Sequence, residues 1–198
     1  MDINRIHVLR QRGGDVDGLP REVVVKDRES KMRKYLYWLD GPWRGKLALA
    51  ARPRGGDWLR DDMASWKRAG IDTVLSLLTP DEETDLDLRD EAGEAKAQGM
   101  EFGSFPVPDR QVPRSEAEWA EVLEKVTRAL SEGKNVDVHC RQGIGRSGLV
   151  AACLLVRRGM SPGAAVELVS AERGVSVPET SEQRDWIDQY AVALASTK

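Results

Sequence analysis

The chain has 198 residues, 40% of them apolar and 32% charged, with a formal net charge of −3. That length accommodates one domain with a real hydrophobic core, and the mild acidity gives no general reason to expect nucleic acid or a membrane surface as partner. Two cysteines do not make a disulfide framework, and no apolar run has the length of a signal peptide or a membrane span, so a cytoplasmic protein is the expectation.

Residues 1–34 are polar and glycine-punctuated, with nine Lys/Arg against six Asp/Glu. They read as a solvated N-terminal arm, with docking to an acidic partner as the alternative and one edge strand conceivable at Val23–Val25. Residues 35–198 read as the folded domain. "YLYWL" and "KLALAA" flank the turn "DGPWRG" as a hairpin, in which Trp43 is a candidate for exposure. "DWLRDDMASWKRAG" has helical periodicity, with Trp58, Leu59, Met63 and Trp66 inward. Arg52 and Arg54 just before it could meet a second anion, though solvation is the simpler expectation. "DTVLSLL" is a buried strand, and Thr79-Pro80-Asp81-Glu82 is a capping box opening a polar helical region that runs to Gly99. "MEFGSFPV" is the next strand. Ser115 and Glu118 start a helix with Trp119, Leu123, Val126 and Leu130 on one face, and "NVDVH" follows as a short strand. "SGLVAACLLV" is apolar all round, as in a helix buried inside a domain. Two more helices start at Ser161-Pro162 and near Thr180. Strands alternating with helices predict an α/β fold with a central, mainly parallel sheet flanked by helices.

"VDVHCRQGIGRSGLV", residues 136–150, carries the chemistry. Strand alternation sets Val136, Val138 and Cys140 on one side and Asp137 and His139 on the other. The thiol is thus delivered to the carboxyl end of a strand, where open α/β sheets bind their ligands. Gly143 and Gly145 let the backbone curl so that the N–H groups of Arg141, Gln142, Gly143, Ile144, Gly145 and Arg146 form an anion cradle at the positive end of the buried helix. Such a field lowers a thiol pKa and binds a tetrahedral oxyanion, with Arg146 gripping two oxygens. Cys140 is then placed to attack phosphorus, and Ser147 to hydrogen-bond the sulfur as it leaves. His139, facing away, is expected to support the loop. A bare glycine-rich turn with an incidental core cysteine is the structural alternative.

"HCRQGIGRSG" resembles the HCx₅R[ST] loop of the cysteine-based protein tyrosine phosphatases, and its place late in the chain is most similar to the dual-specificity branch, including the cyclin-dependent-kinase-associated and Cdc14-like members. The order of elements extends that resemblance over roughly residues 36–195. It implies a metal-independent phosphate-monoester hydrolase with no cofactor, a phosphorylated protein as substrate, and a general acid in the loop after "MEFGSFPV". In "PDRQVP" that residue is Asp109. Turn chemistry alone would also explain the Pro-Asp pair, and Val107 stands where receptor-type members carry tryptophan. Gln183 resembles the family's water-positioning glutamine, but Thr180-x-x-Gln183 is equally a capping box. Cys153 lies about 10 Å along the buried helix, beyond disulfide reach of Cys140, and is read as core. The two histidines, His7 and His139, supply no metal site. The alternatives are a phosphate-binding module that does not turn over, a phosphatase for phosphoinositides, and a rhodanese-like or arsenate-reducing protein. Gln142 and Ile144 are uncharged and Arg141 is the only extra charge, which favours a phosphoprotein over a polyphosphorylated lipid.

Overall fold

The computed structural model describes residues 36–196, so the arm 1–34 and the strand considered at Val23–Val25 lie outside the described residues. Five strands are arranged in the order β1-β2-β5-β3-β4: β1 Leu36–Leu39, β2 Leu47–Ala51, β3 Thr73–Ser76, β4 Glu101–Ser104 and β5 Val136–Cys140. β1 pairs antiparallel with β2, as the hairpin predicts, and the other pairings are parallel. β5 is central and fully buried, with Cys140 opposite Ala51 and His139 opposite Ser76. The carboxyl ends of β2, β3, β4 and β5 therefore open on one edge, and every loop that builds the site leaves from that edge.

Residue size sorts the two faces of the sheet. Leu47, Leu49, Val136 and Val138 point into a core made with α4 (Glu116–Ser131), α5 (Gly145–Arg157), α6 (Pro162–Arg173) and α7 (Ser181–Ser196). Ala48, Ala50 and Val74 face a smaller core covered by α1 (Leu59–Arg68) and α3 (Glu91–Ala97), with α2 (Pro80–Asp85) beside it. The periodicities of α1 and α4 hold: Leu59, Met63 and Trp66 are buried on one, and Trp119, Leu123, Val126 and Leu130 on the other. In α5, all residues from Gly145 to Val156 are buried, so this helix runs through the interior and its amino end can reach the sheet edge only as a buried positive pole.

Several expectations change. Trp58 is 54% exposed rather than inward, because it ends a short 3-10 turn (Gly56–Trp58) ahead of the first α-helical residue. Trp43 folds back over Gly41 and packs against the core, so it is not the exposed turn tryptophan. The polar region 79–99 breaks into α2 and α3 around Asp87, whose φ of 55° is left-handed and cannot continue a helix. β4 stops at Ser104, because Phe105 and Val107 direct their N–H groups to Ser76 and Leu77 and turn the chain into the loop.

Candidate active site

Cys140 ends β5 and is 2% exposed. Its sulfur lies 3.6 Å from the Ser147 hydroxyl and faces the N–H groups of Ser147 and Gln142. Burial alone would raise the thiol pKa; the Ser147 N–H and hydroxyl, the Arg146 charge and the Gln142 N–H outweigh it and hold the value below that of a free thiol. Gly143, with φ 67°, is needed for the loop's path: a Cβ there would stand 2.4 Å from the Ala50 carbonyl. The loop is braced from behind by Arg173 at the end of α6, which donates to the Gly143 and Gln142 carbonyl oxygens at 2.6 and 2.8 Å and stacks 3.7 Å over Tyr37. Those bonds consume carbonyls and leave the opposite edge of the loop to its amides.

Arg146 is almost wholly buried, at 1% exposure, and it gathers the ends of three strands. Its Nη1 donates to Leu77 O after β3 (3.2 Å), to Val107 O after β4 (2.9 Å) and to Glu82 Oε2 (2.7 Å). Nη2 donates to Glu82 Oε1 and to Asp109 Oδ1, both at 2.9 Å. Glu82 grips the guanidinium with both oxygens, the geometry that fixes a planar fork most tightly. Burial pushes the Glu82 carboxyl up, but the Arg146 bonds, the Thr79 N–H and the Arg146 and Arg141 charges bring it below the usual carboxylate value, so it stays ionised.

Asp109 stands at the tip of the proline-rich loop and reaches Arg146, while Asp137 is turned into the opposite core. Arg110 has φ 61° and sets the tip; the Thr180 hydroxyl donates to its carbonyl at 3.4 Å. Gln183 is fully buried. Its Nε2 donates to Gln111 O (3.0 Å), its Oε1 accepts from Glu179 N–H (3.1 Å), and its own N–H meets Thr180 Oγ1 (3.2 Å). The same side chain lies against Gly145, where a Cβ would come within 3.0 Å of Oε1. Thr180 thus caps α7 through the Gln183 N–H, while the Gln183 side chain bonds Glu179 rather than closing the capping box, ties α7 to the Asp109 loop and borders the cysteine loop.

Behind the loop, His139 Nε2 pairs with Glu91 Oε1 at 2.9 Å, and Asp137 shares the pocket with both. Burial pushes the Asp137 carboxyl up to about 7. Cys153 is buried inside α5, its thiol raised by burial, as its reading as core requires.

Sequence reasoning brought together Cys140, Arg146, Ser147 and Asp109, and the structure sets them in one cluster. It missed two residues. Glu82 was identified only as the capping-box glutamate, although the oxygen that accepts from Thr79 N–H also holds Arg146. Arg173 carried no signal beyond a basic residue at a helix end.

Residues 48–160 match the family Tc-R-P, described as a polymorphic toxin system, DSP-PTPase phosphatase. Cyclin-dependent kinase inhibitor 3 of Rattus norvegicus is 27% identical over 140 residues, 70% of this chain and 66% of that protein. PRL-1 phosphatase of Drosophila melanogaster is 30% identical over 124 residues, 63% of this chain and 65% of that one. The chain therefore spans just under two thirds of these relatives, and only 43% of the Sus scrofa cyclin-dependent kinase inhibitor 3. Among solved structures, a kinase-associated phosphatase with its catalytic-site cysteine replaced by serine superposes with a TM-score of 0.74 at 24% identity, covering 82% of this chain and 96% of the other. Tk-PTP in its active form gives 0.67 at 28% identity, over 80% and 97%. The fold is that of the protein tyrosine phosphatases, and the chain belongs to the DSP-PTPase phosphatases of the cysteine-based protein tyrosine phosphatase superfamily.

Proposed function

We propose that the protein hydrolyses phosphate monoesters through a phosphocysteine on Cys140, with phosphoproteins as substrates. The observation that carries this reading is a thiol of lowered pKa at the end of a central strand, beside a buried arginine held by two carboxylates. In the first step the Cys140 thiolate attacks phosphorus, the P–O ester bond breaks, and Asp109 gives its proton to the departing oxygen. The N–H groups of residues 141–146 and the Arg146 guanidinium stabilise the charge spread over the three equatorial oxygens. In the second step Asp109 takes a proton from water, water oxygen bonds to phosphorus, and the S–P bond breaks. The Ser147 hydroxyl, 3.6 Å from the sulfur, stabilises the thiolate as it leaves. Gln183, bordering Gly145 and linked to the Asp109 loop, is suited to hold that loop and to border the attacking water. His139 acts from behind, fixed by Glu91.

Phosphate oxygens entering the cradle compete with Asp109 for Arg146 Nη2, so substrate binding releases the carboxylate toward the leaving group. Gln142 and Ile144 add no charge to the loop, which supports a phosphoprotein over a polyphosphorylated lipid.

The test is release of p-nitrophenol from para-nitrophenyl phosphate, with chelator present, by the wild type, Cys140→Ser and Asp109→Asn. Turnover is expected in the wild type and none in Cys140→Ser. Asp109→Asn should be slowed most on an alkyl phosphate or phosphopeptide, whose leaving group needs the proton. Absence of turnover in the wild type would overturn the reading in favour of a phosphate-binding module.

A further inference from the structure

A cleft of about 780 Å³ opens directly beside the cysteine loop. Arg141 and Gln142, the two residues after Cys140, form one wall; Arg52 and Arg54 from the loop after β2 and Arg68 from α1 form others, with Trp58 at the rim. The chain as a whole is acidic, yet this cleft gathers four arginines and no lysine against Asp61 and Asp62, leaving two positive charges in excess. The arrangement is built rather than loose. Asp62, 5% exposed, accepts from the Arg54 backbone N–H at 2.8 Å and from its Nε at 3.1 Å, which pins the loop. Arg54 also lies 4.5 Å over the Trp58 ring, which leaves an indole 54% exposed at the rim of the cleft. Asp62 neutralises Arg54, whereas Arg52, Arg68 and Arg141 have no acidic partner within salt-bridge distance among the described residues.

Resting on the phosphatase reading above, we propose that this cleft is a specificity subsite for an acidic side chain flanking the phosphorylated residue of a peptide. A phosphoryl group in the cradle leaves the next residues, at about 3.4 Å per extended residue, over Arg141 and into the cleft. There Arg52, or Arg68 farther along the cleft at the end of α1, meets a carboxylate, with Trp58 at the rim beside Arg54. The occupant is a peptide rather than a lipid surface because the site is concave and its excess of two positive charges suits a single carboxylate rather than a second phosphate or an anionic bilayer.

The test compares kcat/KM on matched phosphopeptides carrying Glu, Ala or Lys beside the phosphoresidue, on either side, for the wild type and an Arg52→Gln/Arg68→Gln variant. A partly exposed ion pair predicts a wild-type Glu-over-Ala preference of about three- to fivefold at low salt, shrinking as salt rises. In the variant the ratio falls to about one, while turnover of para-nitrophenyl phosphate stays within about twofold. Equal rates on all three wild-type peptides, or a preference that survives in the variant, overturns the proposal and leaves the phosphatase reading intact. So does a variant whose losses appear only on phosphoinositide in phosphatidylcholine vesicles. If the wild type turned over nothing, the phosphatase reading would fail separately. Fluorescence anisotropy of the same peptides on the Cys140→Ser protein would still decide the subsite, with the same ratio expected in affinity.

Discussion

Replacing Glu82 with glutamine tests whether the active-site arginine is positioned by its carboxylate. Glu82 supplies two of the bonds to Arg146, at 2.7 and 2.9 Å, in a pocket where the arginine is 1% exposed. A hydrogen bond to a charged group is worth about 1.5–3 kcal/mol. Glutamine keeps one acceptor and loses the other together with the charge, so about 2 kcal/mol of positioning is removed. If that loss falls wholly on the transition state, kcat/KM for para-nitrophenyl phosphate drops roughly 30-fold. The loss should appear chiefly in kcat, because Arg146 grips oxygens whose charge develops in the transition state. Asp109 adds to it, since as the remaining carboxylate on Arg146 it is held harder and released less readily to the leaving group. Whatever part of the roughly 2 kcal/mol already stabilises the free enzyme lowers the melting temperature instead, by at most about 4–8 °C in a domain of this size. Steady-state kinetics with thermal melts at one pH give both numbers. A folded Glu82→Gln protein with kcat/KM within twofold of wild type would refute the assignment, because Leu77 O, Val107 O and Asp109 would then suffice to orient Arg146.

Two further outcomes follow from the titrating groups. Iodoacetamide should label Cys140 and spare Cys153 in the native protein, with a rate whose pH midpoint lies below that of an ordinary thiol; phosphate should protect. Thiolate prevails above the lowered pKa and is lost as pH falls through it, so a midpoint at or above 8.5 would contradict the electrostatics of the loop. Asp137 works in the opposite sense. Its carboxyl rises from 3.8 to about 7 on folding, so the native state binds the proton more tightly and the stability this group contributes is lost as pH rises through that window. Asp137→Asn removes the ionisation, and its stability relative to wild type should climb by about 3 kcal/mol between pH 4.5 and 8. Denaturant melts at the two pH values measure this, and a difference that does not change with pH would show that Asp137 ionises freely.

Much of the site was legible because its parts are local. A strand ending in a cysteine, two glycines that let the backbone curl, and an arginine at the start of an apolar helix all lie within one short stretch, and strand alternation alone turned Asp137 away from the thiol. The capping boxes at Thr79 and Ser115, the apolar stripe of α4 and the buried character of α5 are likewise set by neighbours in sequence. What lay beyond reach depends on how loops from different strands meet. Glu82 reads as a cap because its local bond to Thr79 is complete in itself; only the parallel pairing of β3 with β5 carries it to Arg146. Arg173 reads as a helix end until α6 lies behind the cysteine loop, and Trp58 reads as core until the helix starts one residue after it. The four arginines of the cleft come from three separated stretches. Side chains within a turn of one another are fixed by backbone geometry, whereas convergence across the sheet edge is fixed by strand order, so the nucleophile was written in the sequence and its clamps and neighbouring cleft were decided by the fold.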